Sequence, residues 1–63
     1  MITAIIDHIR MCENNTIWAT LYPSDGYVHC GRLSTALGIV KEKGYVVTNA
    51  QDVLMQLHEI GIV

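Results

Sequence analysis

His8 and Cys12 stand four residues apart, a spacing that lets two residues of one helix bind a single metal ion, and His29-Cys30 would supply two further ligands. Against a metal site, strand alternation sends His29 and Cys30 to opposite faces. The chain also has no closely spaced Cys pair of the structural zinc type. Cys12 and Cys30 are the only cysteines, so they read as small buried hydrophobes in a reducing setting, with no metal. A Cys12–Cys30 disulfide would need an oxidising compartment. Ser24, Ser34, Cys30 and three histidines supply nucleophiles and bases, but none sits in a motif that sets a nucleophile beside a base and an orienting group. The five glycines are dispersed and make no phosphate-cradling loop. The expectation is a protein that is not an enzyme, with no cofactor and no small-molecule substrate.

Trp18, Tyr22 and Tyr27 are three of only four aromatic residues. On one face of a hairpin they would form a protein interface, stack on single-stranded bases, or pack inward as core.

The elements that must carry these residues follow from periodicity. Ile2, Ile5, Ile6, Ile9 and Cys12 fall on one helical face, which predicts a helix over 2–13 stopped at Asn14-Asn15. Thr16 to Tyr22 is β-branched and aromatic and reads as a strand. Pro23-Ser24-Asp25-Gly26 makes a turn, and Tyr27 to Cys30 returns. A four-residue loop sets Tyr22 opposite Tyr27, Leu21 opposite Val28 and Ala19 opposite Cys30. Leu33, Ala36, Leu37 and Val40 form the stripe of a second helix, closing at Gly38 or at Gly44 after Lys41 and Lys43. Tyr45-Val46-Val47 is a short strand. Thr48 with Gln51 has the form of a capping box for a helix over 49–60, closed by Gly61, with Ile62-Val63 as an extended end.

The expected fold is therefore a small α+β domain spanning 1–63, three helices with a short β-hairpin. With 63 residues, 51% of them hydrophobic and only 16% charged, it cannot be a disordered charged tail, and there is chain for one domain only. So small a body cannot hide all its apolar side chains. Some should lie on the surface, where contiguous apolar area marks a partner site. No run approaches the ~18 apolar residues of a membrane span, and the N-terminus lacks a basic leader, so the expected location is cytoplasmic. The net charge is −2, with only Arg10, Arg32, Lys41 and Lys43 as cations, a weak basis for phosphate neutralisation.

Two pieces resemble the winged helix-turn-helix domains of bacterial or phage repressors. They are Gly26-Tyr27 leading into Arg32-Leu33-Ser34-Thr35-Ala36-Leu37-Gly38-Ile39, and Asp52 to Val63 as a recognition helix and its exit. The resemblance implies a dimeric DNA-binding transcriptional regulator. Gln51, Asp52, Met55, Gln56, His58 and Glu59 would then face DNA, and Arg32, Lys41, Lys43, Asn49, Gln51 and Gln56 would be its nucleic-acid residues. The reading of the residues themselves favours a small accessory, non-enzymatic regulatory protein. It would dock onto a protein partner or onto itself as a homodimer, with Trp18, Tyr22 and Tyr27 as the interface.

Overall fold

The computed structural model describes residues 1–62. In chain order it runs β1 (Thr3–Met11), a single 3-10 turn (Glu13–Asn15), β2 (Ile17–Pro23), β3 (His29–Arg32), α1 (Leu33–Lys43), β4 (Val46–Val47) and α2 (Ala50–Glu59). The strands form one mixed sheet in the order β3-β2-β1-β4. β1 and β2 pair antiparallel, as do β2 and β3, while β4 lies parallel to β1. The class is α+β, with two α-helices rather than the expected three.

The correction falls on residues 2–13, which form β1 and not a helix. Ala4 and Ile6 point into the core at the two-residue period of a strand, and Ile9 joins them three residues later. A β-bulge makes this jump. Pairing slips from Asp7↔Thr20 to Arg10↔Trp18, which places two residues of β1 opposite Ala19, and His8 takes a left-handed φ of 54°. The extra residue gives an inward set with a helix-like step. Ile2 and Ile5, which would have completed the helical face, are exposed. Asn14 and Asn15 do end the segment; with φ of 60° and 58° they turn the chain into β2.

The hairpin forms, with a register one residue away from the expected one. Leu21 lies opposite His29, Thr20 opposite Cys30, Ala19 opposite Gly31 and Trp18 opposite Arg32. A one-residue slip exchanges the faces of a strand, so Cys30 shares a face with Trp18 and Tyr22, while His29 turns inward over Gly31. A Cβ on Gly31 would meet His29 Nε2 at 2.9 Å. Tyr27 lies in the connection, outside the ladder.

That connection is pinned by Asp25. The Gly26 N–H donates to the Pro23 carbonyl at 3.0 Å. The Tyr27 N–H donates to Asp25 Oδ1 at 3.0 Å, and the buried Tyr45 hydroxyl donates to Asp25 Oδ2 at 2.7 Å. The Tyr45 hydroxyl, then the Tyr27 N–H, hold the Asp25 pKa below its ordinary value. The same bond, with desolvation, pushes Tyr45 up to about 12. A lowered carboxylate pKa stabilises the fold above the unfolded carboxylate's range and is lost as pH falls through the folded value. A raised phenol pKa contributes below the phenol's ordinary range and is lost as pH rises towards the folded value. Tyr45→Phe should therefore be most destabilised relative to wild type across neutral pH, with the gap closing in acid and in strong alkali. Urea midpoints measured across pH check this, and a gap independent of pH would overturn it.

The helices follow the sequence closely. α1 runs through Gly38 and ends at Gly44, whose φ is 68°, with the Tyr45 N–H returning to the Val40 carbonyl at 3.0 Å. α2 ends at Gly61, φ 83°, with Gly61 N–H to His58 O and Ile62 N–H to Leu57 O, the paired bonds of a Schellman closure. The capping box does not form. Asn49 holds the N-cap position, makes no side-chain cap bond, and sends its amide elsewhere. Val63, last of the expected extended end, lies outside the described residues.

Both helices pack on one face of the sheet. The core is Ala4, Ile6, Ile9, Ala19, Leu21, Ala36 and Tyr45, with Leu33, Val40, Val53 and Leu57 packed against it. α2 contributes no fully buried residue. Apolar side chains do remain outside, among them Leu37, Leu54 and Met55 at 49%, 57% and 62% exposure.

Candidate functional site

Three places bring polar or apolar chemistry together. The first is the helix-free face of the sheet. Directly paired residues of an antiparallel ladder share a face, so Arg10, Trp18 and Arg32 form one row across β1, β2 and β3. They line an open cleft of about 470 Å³ with Cys12, Glu13 and Thr16. Arg10 is held in place, with Nη1 donating to the His8 carbonyl at 2.8 Å and Nη2 lying 3.9 Å from Cys30 Sγ. In the next row Thr20, buried, faces exposed Cys30. The Thr20 hydroxyl, then the Arg10 guanidinium, hold the Cys30 thiol below its ordinary pKa. Beyond it Tyr22 pairs with Ile5 and meets the His8 ring edge-on, centroids 6.0 Å apart.

The second place is the margin of β1 that β4 leaves unpaired, since β4 is only two residues long. Here Asn49 acts as a substitute strand. Its Oδ1 accepts from the Ile6 N–H at 3.1 Å, and its Nδ2 donates to the Ile6 carbonyl at 2.7 Å. Gln56 Oε1 accepts from the Ile9 N–H at 3.0 Å. Asp52 Oδ2 ties the two amides together, accepting from Gln56 Nε2 at 2.9 Å and from Asn49 Nδ2 at 3.3 Å. Asn49, Asp52 and Gln56 fall at helical spacing on one side of α2, so a single helix face satisfies the open edge.

The third place is a cleft between the helices, about 310 Å³, walled by Ile6, Leu37, Val47, Ala50, Val53 and Leu54. Every one of these residues is apolar.

The structure thus separates the residues singled out from sequence. Trp18 and Tyr22 share the open sheet face; Tyr27, 77% exposed, does not join them. Arg32 joins Trp18, whereas Lys41 and Lys43 sit exposed in the last turn of α1. Asn49 and Gln56 are committed to β1, and Gln51 is exposed on α2. His8, His29 and Cys30 lie on strands and Cys12 just beyond the end of β1, and among the described residues no group of three or more His, Cys, Asp or Glu could hold a metal ion. Arg10 was not legible as a site residue, because its neighbours come from strand pairing and not from sequence. Among the described residues no helix is long and apolar enough to cross a membrane. No family model, winged helix-turn-helix or other, matches the chain, and no curated protein or solved structure matches it either.

Proposed function

We propose that this chain is a small non-enzymatic regulatory protein that acts by binding, and that its helical face docks onto a second copy of itself. The cleft between α1 and α2 carries this reading: it is walled only by apolar residues, with Leu37 and Leu54 half-exposed on it. Charge favours a copy of the same chain as occupant. α1 carries Lys41 and Lys43, with Glu42 between them, near its end, and α2 carries Glu59 near its own, Asp52 being tied to Asn49 and Gln56. A two-fold axis that sets α1 of one copy along α2 of the other brings opposite charges together, and such a contact is self-complementary and closed. Cys12 and Cys30 stand free, which accords with a reducing, cytoplasmic setting.

Sedimentation over a range of concentrations tests the reading. Wild type should move from monomer to dimer as concentration rises. Leu54→Glu should keep its circular dichroism and weaken the dimer about tenfold to a hundredfold, the loss expected for one large apolar side chain removed from a contact. A wild-type chain that stays monomeric at the highest concentrations would sink the proposal.

A further inference from the structure

We infer that the helix-free face of the sheet binds single-stranded nucleic acid, with a base stacked on Trp18 and flanking phosphates held by Arg10 and Arg32. This face is opposite the helical cleft, so the inference stands on separate observations.

The row geometry comes first. Arg10 and Arg32 are the two ladder partners of Trp18, one on each neighbouring strand. Strands lie ~4.8 Å apart, so the two arginines start from either side of the indole, and the Arg10 side chain crosses β2 to bring Nη2 within 3.9 Å of Cys30 Sγ on β3. The cleft of about 470 Å³ over this row is open to solvent. An aromatic ring between cations is the arrangement that stacks a base and holds its backbone, because every base has a π-face and every linkage a negative charge.

Preorganisation comes second. One of the two arginines is already oriented. Arg10 donates to the His8 carbonyl at 2.8 Å, and that carbonyl is presented by the bulge, where His8 sits at φ 54°. Less side-chain freedom then remains to be lost on binding.

Continuity comes third. Tyr22 lies four residues along β2 on the same face, ~13 Å away at the rise of a strand, with Thr20 between them. Trp18 and Tyr22 are the two rings of this face, and between them lie buried Thr20, the Asp7 that pairs with it and the Arg10 guanidinium. Duplex DNA does not suit this face, since its bases are already stacked and offer no free face to the indole. An acidic peptide would satisfy the arginines and leave the indole between them without a planar partner. The Glu13 carboxylate on the rim and the Asp7 carboxylate beside Thr20 both repel phosphate, which leaves the Arg10–Trp18–Arg32 row as the place for the backbone.

Trp18 is the only tryptophan, so its fluorescence reports on the site in the intact chain. Titration with a deoxythymidine oligomer of about ten nucleotides should quench it to saturation. With two phosphate contacts, the plot of log affinity against log salt should have a slope of about −1.4. Arg32→Gln should lower affinity roughly tenfold and halve that slope. Arg10→Gln should do the same. Because Arg10 also holds the His8 carbonyl, its fold is checked by circular dichroism, and Arg32→Gln carries the test if Arg10→Gln unfolds. Trp18→Leu, followed by anisotropy of a labelled oligomer, should lose about five- to a hundredfold.

Absence of quenching at low salt, or an affinity unmoved by Arg32→Gln, would overturn the inference. So would a duplex, a thymidine mononucleotide or an acidic peptide of matched charge that bound as tightly as the oligomer. Sedimentation of the same samples reads self-association separately, so the two proposals can fail independently.

Discussion

Asn49→Ala should cost about 2–4 kcal/mol of stability, a large share of what a domain of this size possesses. The loss has a specific origin. The Ile6 N–H and C=O, both bonded to the Asn49 amide, are left on a strand margin that β4 does not reach. An unsatisfied, largely desolvated polar group costs about 1–3 kcal/mol, and there are two. Asn49→Asp separates this from simple truncation. A carboxylate still accepts from the Ile6 N–H, but it cannot donate to the Ile6 carbonyl, and it faces Asp52. It should recover little of the loss, although its shape is nearly that of asparagine. Urea melts of wild type and both variants decide the matter. If Asn49→Asp matched wild type, the donor half of the amide would be irrelevant and the edge-sealing role wrong.

Leu21→Ala should be more severe, about 3–5 kcal/mol, enough to leave much of the population unfolded at room temperature. Leu21 and Ile6 are the two large side chains buried most completely, and they sit directly opposite each other across β1 and β2. Their pair is the centre of a core that otherwise relies on alanines and partly covered residues. Few neighbours can relax into the space left by Leu21, so the cavity stays open. A melt shifted by less than about 1 kcal/mol would show that the core lies elsewhere.

What could be read from the sequence divides along physical lines. α1 and α2 were legible because their signals are local: an apolar stripe at helical spacing, and Gly44 and Gly61 at left-handed closures. The Pro23 to Gly26 turn was legible for the same reason. β1 was not, because the bulge at His8 converts strand alternation into a three-residue step between Ile6 and Ile9, which periodicity alone cannot tell from a helix. Its density of isoleucine was the opposing signal. The hairpin register was lost by one residue because loop length, not composition, sets it. Asn49 and Gln56 looked like base-reading amides only while their partners were unknown. Those partners, the main chain of Ile6 and Ile9, are more than forty positions away. The Arg10–Trp18–Arg32 row was invisible for the same reason, since three strands have to meet before it exists.

The bulge also bears on which length changes the chain tolerates. Loss of one residue from a central strand normally turns everything beyond it inside out. At position 8 it would do the reverse. Without His8, Asp7 would be followed by Ile9, and Ile9 would come opposite Ala19 while Arg10 kept its place beside Trp18. The strand would regain unbroken alternation with the same residues inward. Shortening by one at this position is therefore a length change that β1 accommodates without exchanging its faces, and shorter versions of this strand in nature would be expected to differ there.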